Sequence, residues 1–333
     1  MESVGGLSAA HAALQRRSVI AAMLGLAAAP LAARAQSFPS RPVYLIVPQP
    51  PGGTADRLGR FLAERLGALW GQPVIVENKP GGGVAVGTVA TARATPDGHT
   101  LGLLGSSLSI NAVQRRDLPY QLSDLEPVTR VGYYTMALVA SASFPADDVK
   151  GLVALAKSKP ANALSFGSNG IGTSAQVAGE LLNHMAGIEM QHVPYNGASK
   201  MYTDILGGRI PLGFAVYSSA ASFVRAGQMK VLGVTSERRS PQYPDVPAIA
   251  ETLPGFDVVN WAGILSPAHL PPDILRKVSA DLLQVLGAPD VAQKLGEMGI
   301  DLAPLGPAEF NTFIAGELQR FSKVMKPLSQ RLN

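Results

Sequence analysis

Short apolar runs of strand length alternate with helix-period segments along most of this chain, and glycine-rich corners join them. The run V-Y-L-I-V at 43–47 is followed by P-Q-P-P-G-G-T-A-D at 48–56. A helix pattern then spans 54–69, with Leu58, Phe61, Leu62, Leu66 and Leu69 on one face and Arg65 as a polar interruption. V-I-V-E at 74–77, a glycine loop at 81–83, a small-residue helix near 85–94, a P-D-G turn at 96–98 and T-L-G-L-L from Thr100 continue the alternation. Strand and helix in this order argue for a mainly parallel sheet covered by helices on both faces.

The same grammar restarts after an apolar run at 136–141. Helix 149–157, strand 164–167, the loop S-N-G-I-G-T-S at 168–174 and helix 175–186 come first. Strand 190–193, helix 199–206 and strands 210–215 and 231–235 complete the block. An extended run at 258–265 and three helical patterns at 272–286, 289–298 and 307–324 close the chain. Each of these helices is read as starting at a proline, whose missing N–H would be unpaired there anyway. The pattern predicts two α/β lobes, residues 36–134 with 256–333 and residues 135–255. The chain crosses between them near 131–138 and 255–265, and the C-terminal helices pack back on the first lobe.

Residues 1–35 are read as a signal peptide. Arg16 and Arg17 precede an apolar stretch, and Ala33-Arg34-Ala35 offers a cleavage site before Gln36. Adjacent arginines suit either the Sec or the twin-arginine route, and the expected destination is the periplasm. This segment carries +2 of the chain's +4, so the mature chain is close to neutral, which argues against nucleic-acid and membrane-surface partners. With no cysteine, disulfides and thiolate metal sites are excluded. A monomer is expected.

Enzyme signatures are missing. No G-x-x-x-x-G-K-[ST] cradle, G-x-S-x-G elbow or H-E-x-x-H pair occurs, and G-G-G-V-A-V-G at 81–87 does not fit the dinucleotide fingerprint. No cofactor or metal is therefore expected. The runner-up reading is a carboxylate or acyl hydrolase using a serine from Ser106 to Ser109, although no histidine or lysine stands beside them in sequence. An exported scaffold without a ligand is a third reading.

A glycine corner at a helix start is an anion site, because backbone N–H groups and the helix dipole converge there. Both long corners have this form, at Gly52-Gly53 and at Gly170 to Ser174, and neither carries the lysine that polyphosphate sites recruit. The motifs V-P-Q-P-P-G-G-T-A-D, V-E-N-K-P-G-G-G, H-V-P-Y-N-G, D-I-L-G-G-R-I, V-T-S-E-R-R-S and W-A-G-I-L-S-P occur in that order. Together they resemble the Bug receptors, the periplasmic substrate-binding proteins of tripartite tricarboxylate transport systems, from about residue 38 to residue 326.

That resemblance implies a two-lobed, type II-like periplasmic binding protein fold with two crossover strands, closing on a small carboxylate held mostly by backbone N–H groups. Membrane transporter subunits are the implied partners. It carries the site onto Gln49, Pro51, Gly52, Gly53, Thr54 and Asp56 in the first lobe, and onto Ser168, Asn169, Gly170, Gly172, Thr173 and Ser174 in the second. Ser106, Ser107, Asn111, Asn196 and Tyr217 are further candidates. Gln49 stands where relatives often have an aromatic, and Ala215 where many have aspartate. Were position 215 at the cleft, the receptor would favour a carboxylate without an amino group.

Overall fold

The computed structural model describes residues 38–115 and 117–328; the proposed signal segment lies outside the described residues. The described residues from Arg41 onward make one compact unit. Its first elements are β1 (Val43–Val47), α1 (Thr54–Trp70), β2 (Val74–Asn78), α2 (Ala85–Ala92), β3 (Thr100–Gly105), α3 (Ser107–Gln114) and β4 (Leu125–Tyr134). Then come β5 (Met136–Ser141), α4 (Val149–Lys157), β6 (Leu164–Ser168), α5 (Ser174–Ala186), β7 (Met190–Pro194), α6 (Ala198–Leu206), β8 (Leu212–Val216), α7 (Tyr217–Arg225) and β9 (Met229–Val234). The last are β10 (Asn260–Pro267), α8 (Pro272–Leu286), α9 (Val291–Glu297), β11 (Ile300–Leu305) and α10 (Pro307–Met325).

These strands form two sheets, ordered β11-β4-β10-β3-β1-β2 and β7-β6-β8-β5-β9. Pairing is parallel for β1 with β2 and β3, and for β6 with β7 and β8. It is antiparallel wherever β4, β5 or β10 takes part. The sheets are thus mixed, where the alternation alone had suggested mainly parallel ones. The reason is the crossing: β4 leaves the first sheet and continues through Thr135 into β5, and β10 brings the chain back beside β4, so outgoing and returning strands must be antiparallel.

Local chemistry explains most elements. Leu58, Leu62 and Leu66 recur at helical spacing and are at most 2% exposed, and α1 stops at Gly71, whose φ of 63° lets its N–H return to the Gly67 carbonyl at 3.0 Å. Trp70 donates through Nε1 to Asp281 at 2.6 Å, tying α1 to α8. Pro272 and Pro307 sit in the first turns of their helices as expected. Pro289 instead precedes the Asp290 cap of α9.

Two strands and two helices escaped the sequence reading. In L-E-P-V-T-R-V-G-Y-Y, Pro127 and Gly132 disguise β4, yet it is central, and the register slips where Pro127 faces Leu265. Serine-rich α3 and α7 read as loops because Ser favours caps and turns. Packing overrides that preference for α3, which lies against α10.

The first half of α10 packs Phe310 against Trp261, ring centroids 5.3 Å apart at 86°. Its second half does not stay with the first sheet. Phe321, Met325 and Leu328 join the core cluster of Phe166, Val177 and Leu181 on the second-sheet side. Burying such side chains is worth roughly 1.5–3 kcal/mol each, so the last helix straps the two halves together.

Candidate functional site

A cleft of ≈ 1390 Å³ lies between the two sheets. Its first wall is the corner after β1. Gly53 precedes α1 without any side-chain cap, so the N–H groups of the first turn have no intrahelical partner and face the cleft at Thr54 and Ala55. The loop is fastened from behind. Asp56, only 3% exposed, accepts the Gly52 N–H at 2.9 Å and Arg60 Nε at 3.1 Å, and Asn78 Nδ2 donates to the Gln49 carbonyl at 3.0 Å. Burial pushes the Asp56 carboxyl up, but hydrogen bonds from Arg60 and the Gly52 N–H outweigh it and hold it below the usual carboxylate range. Asp56 therefore shapes the corner from outside the cleft wall, and one of the two glycine N–H groups is already bonded within the protein.

The second wall is the 168–174 loop. Ser168 is fully buried; its Oγ meets His192 Nε2 at 2.6 Å and accepts the Gly170 N–H at 3.1 Å. Burial lowers the His192 pKa to about 4, leaving a neutral imidazole as a fixed post. Gln176 Oε1 accepts the Gly172 N–H at 2.8 Å, and Thr173 caps the Gln176 N–H at 3.4 Å. What remains open to the cleft is Asn169, Gly170, Ile171, Thr173, Ser174 and Ala175.

The two walls touch. A Cβ placed on Gly83, whose φ is +61°, would stand 2.4 Å from the Ile171 carbonyl oxygen, and one on Gly172, φ +74°, would stand 2.0 Å from Asn111 Oδ1. One on Gly197 would be 3.5 Å from Pro50. Asn111 is fully buried between these loops and donates to the Gly83 carbonyl at 2.8 Å. Only glycine permits so close an approach of one loop to another, and here the two walls are in contact.

Of the residues singled out in the sequence, Gln49, Pro51, Gly52, Gly53, Thr54, Ser107, Asn169, Gly170, Thr173, Ser174 and Asn196 line the cleft. Asp56, Ser106, Asn111, Ser168, Gly172 and Tyr217 do not. Ser106 Oγ is buried against β10, donating to the Val259 carbonyl and accepting the Trp261 N–H at 2.9 Å, so it is held away from the cleft. Tyr217 packs on Tyr243, ring centroids 4.0 Å apart. Ala215 is buried with Met201 and Ile205 in the second sheet's core, so the lack of a carboxylate at that position carries no information about a ligand's amino group.

Several wall residues were missed: Pro80 to Val84, Arg115, Tyr134, Met136, Ser222, Phe223 and Asn260. The triple glycine at 81–83 was a visible signal for the first of these; the crossing residues carried none. Among the described residues the wall contains Arg57, Arg115, Lys200 and Arg225 but no Asp or Glu, a field that favours anions. Among the described residues no group of three His, Asp or Glu could hold a metal ion, and no helix is long and apolar enough to cross a membrane.

The sequence profile of a family described as tripartite tricarboxylate transporter family receptor matches residues 58–329. Protein BugT of Bordetella pertussis is 32% identical over 309 residues, covering 92% of this chain and 94% of that protein. Among solved structures, the periplasmic binding protein BugD superimposes with a TM-score of 0.81 at 28% identity, covering 87% of this chain and 98% of that one. Rpa4515 of R. palustris with adipate gives 0.83 at 28% identity, covering 87% and 97%. MatC of Rhodopseudomonas palustris with bound malate gives 0.79 at 26% identity, covering 87% and 100%.

Proposed function

The chain belongs to the tripartite tricarboxylate transporter receptor family, and from that premise we propose that it captures a small carboxylate between two closing lobes and delivers it to transporter subunits or a sensor. The family is one of periplasmic, non-enzymatic receptors. In this reading one lobe is built on residues 38–134 and the chain from 256 onward, the other on 135–255, with the end of α10 reaching across onto the second. The signal segment directs export by the Sec or twin-arginine route.

The observation that carries this reading is the uncapped start of the 17-residue helix α1 at the cleft wall, opposite the start of α5. A carboxylate placed there receives free N–H groups and the positive end of a helix dipole. The cationic and acid-free wall favours the same ligand charge. The related structures hold adipate and malate, so linear and hydroxylated diacids are the first compounds to try.

A thermal-shift screen of mono-, di- and tricarboxylates, aromatic acids and amino acids tests the proposal. A ligand at 100 times its dissociation constant stabilises by about 2.7 kcal/mol. Small-angle scattering on the best hit reports closure as a smaller radius of gyration. No stabilisation by any acid would defeat the reading.

A further inference from the structure

The structure assigns Asp301 as a positioning residue: away from the ligand, its carboxylate ties the second lobe and the crossing residue Thr135 to the first lobe at the angle where the cleft walls meet. This inference rests on the reading that two lobes close on a carboxylate, and it names what holds them together outside the cleft.

Thr135 joins β4 to β5 and is 6% exposed. Its N–H, hydroxyl and carbonyl are all bonded, and from two sides. From the first lobe, the Gly299 carbonyl accepts its N–H at 3.0 Å and Asp301 Oδ2 accepts its hydroxyl at 3.0 Å. From the second, the Tyr217 N–H donates to its carbonyl at 2.9 Å, and Ser240 Oγ lies 3.3 Å from the hydroxyl. The other oxygen of Asp301 accepts Gln242 Nε2 at 2.8 Å, and the same nitrogen reaches the Ile300 carbonyl at 3.1 Å. Ser218 Oγ donates to the Met298 carbonyl at 2.5 Å. A Cβ on Gly299, φ +74°, would stand 2.8 Å from the Ser218 Cβ, so the turn leading into β11 is wedged against the start of α7.

Thr135, Ser240, Gln242 and Asp301 do not line the cleft, so a ligand acts on them only through the lobes. Hydrogen bonds are directional and weaken steeply once misaligned. Rotation of one lobe about the crossing moves residues 218 and 240–242 relative to 298–301, and only one lobe angle keeps the whole set. That set is complete here, where a Gly83 Cβ would meet the Ile171 carbonyl and a Gly172 Cβ would meet Asn111. Its bonds therefore favour the arrangement with the walls in contact. Every ligand that needs both walls gains from this by the same factor, whatever lies beyond its carboxylate. A direct wall contact, by contrast, acts on each ligand according to its shape.

Calorimetry on the purified protein with malate, adipate, glutarate and benzoate tests this. Asp301→Ala removes both acceptors and weakens every acid that the wild type binds by a common factor of about tenfold; Gln242→Ala gives a common but smaller loss. Asp301→Asn stays near wild-type affinity, because an amide can accept from Gln242 and donate to the Thr135 hydroxyl. Gln242→Ala keeps the experiment decisive should Asp301→Ala not fold. Unchanged affinity in Gln242→Ala, or losses that differ from acid to acid, overturns the role of Asp301 and leaves the carboxylate reading intact. Failure of the wild type to bind any of the four acids overturns both.

Discussion

Replacing Gly83 by alanine isolates the contact on which closure depends. The new Cβ would stand 2.4 Å from the Ile171 carbonyl oxygen, against an ordinary contact of about 3.4 Å or more, so the two loops must part by about 1 Å. Overpacking of this kind costs typically 1–3 kcal/mol, and because the contact exists only in the closed state the cost falls on closure. Affinity for the best carboxylate should drop roughly 5- to 150-fold.

The φ of +61° at Gly83 adds a separate penalty of about 1–2 kcal/mol to folding itself. Gly187→Ala is the control, because Gly187 has the same φ of +61° with nothing within 4 Å of its Cβ position. Chemical denaturation without ligand should show similar losses for both variants, while calorimetry should show weakened binding in Gly83→Ala alone. Equal affinities in the two variants would refute the claim that the Gly83–Ile171 approach belongs to the binding-competent state.

Asp56→Asn removes a charged acceptor from the Gly52 N–H and Arg60; it should cost about 2 kcal/mol in urea unfolding at pH 7. Because the native carboxyl sits below its usual range, that contribution is complete above about pH 4 and is lost as pH falls further, so wild type and variant should converge in acid. His192 has its pKa lowered to about 4, so the unfolded chain binds its proton first. Stability should fall as pH drops from about 6.5 towards 4, by at most roughly 3 kcal/mol, and His192→Gln should flatten that slope. Gly172→Ala should weaken ligand binding as Gly83→Ala does, through collision with Asn111 Oδ1; combining it with Asn111→Gly should restore affinity in part, as a double-mutant cycle by calorimetry would show.

The sequence by itself determined what depends on neighbours along the chain. Strand-length apolar runs, helix periodicity and the glycine corners gave β1, α1, β6 and α5 within a residue or two, because side-chain period, caps and left-handed turns are local properties. The same local chemistry located the two glycine corners that open helices at the cleft wall. Tertiary structure decided which groups there are still free: the Gly52 N–H is taken by Asp56 and the Gly172 N–H by Gln176. It also moved Asn111 from the site to the seam between the loops, made β4 a central strand despite Pro127, and carried α10 across both halves. Tyr134 and Asn260 of the cleft wall lie far apart in sequence and meet only because the chain crosses between the sheets twice. No local pattern records such a meeting, since its energy comes from burial and pairing that exist only once both sheets have formed.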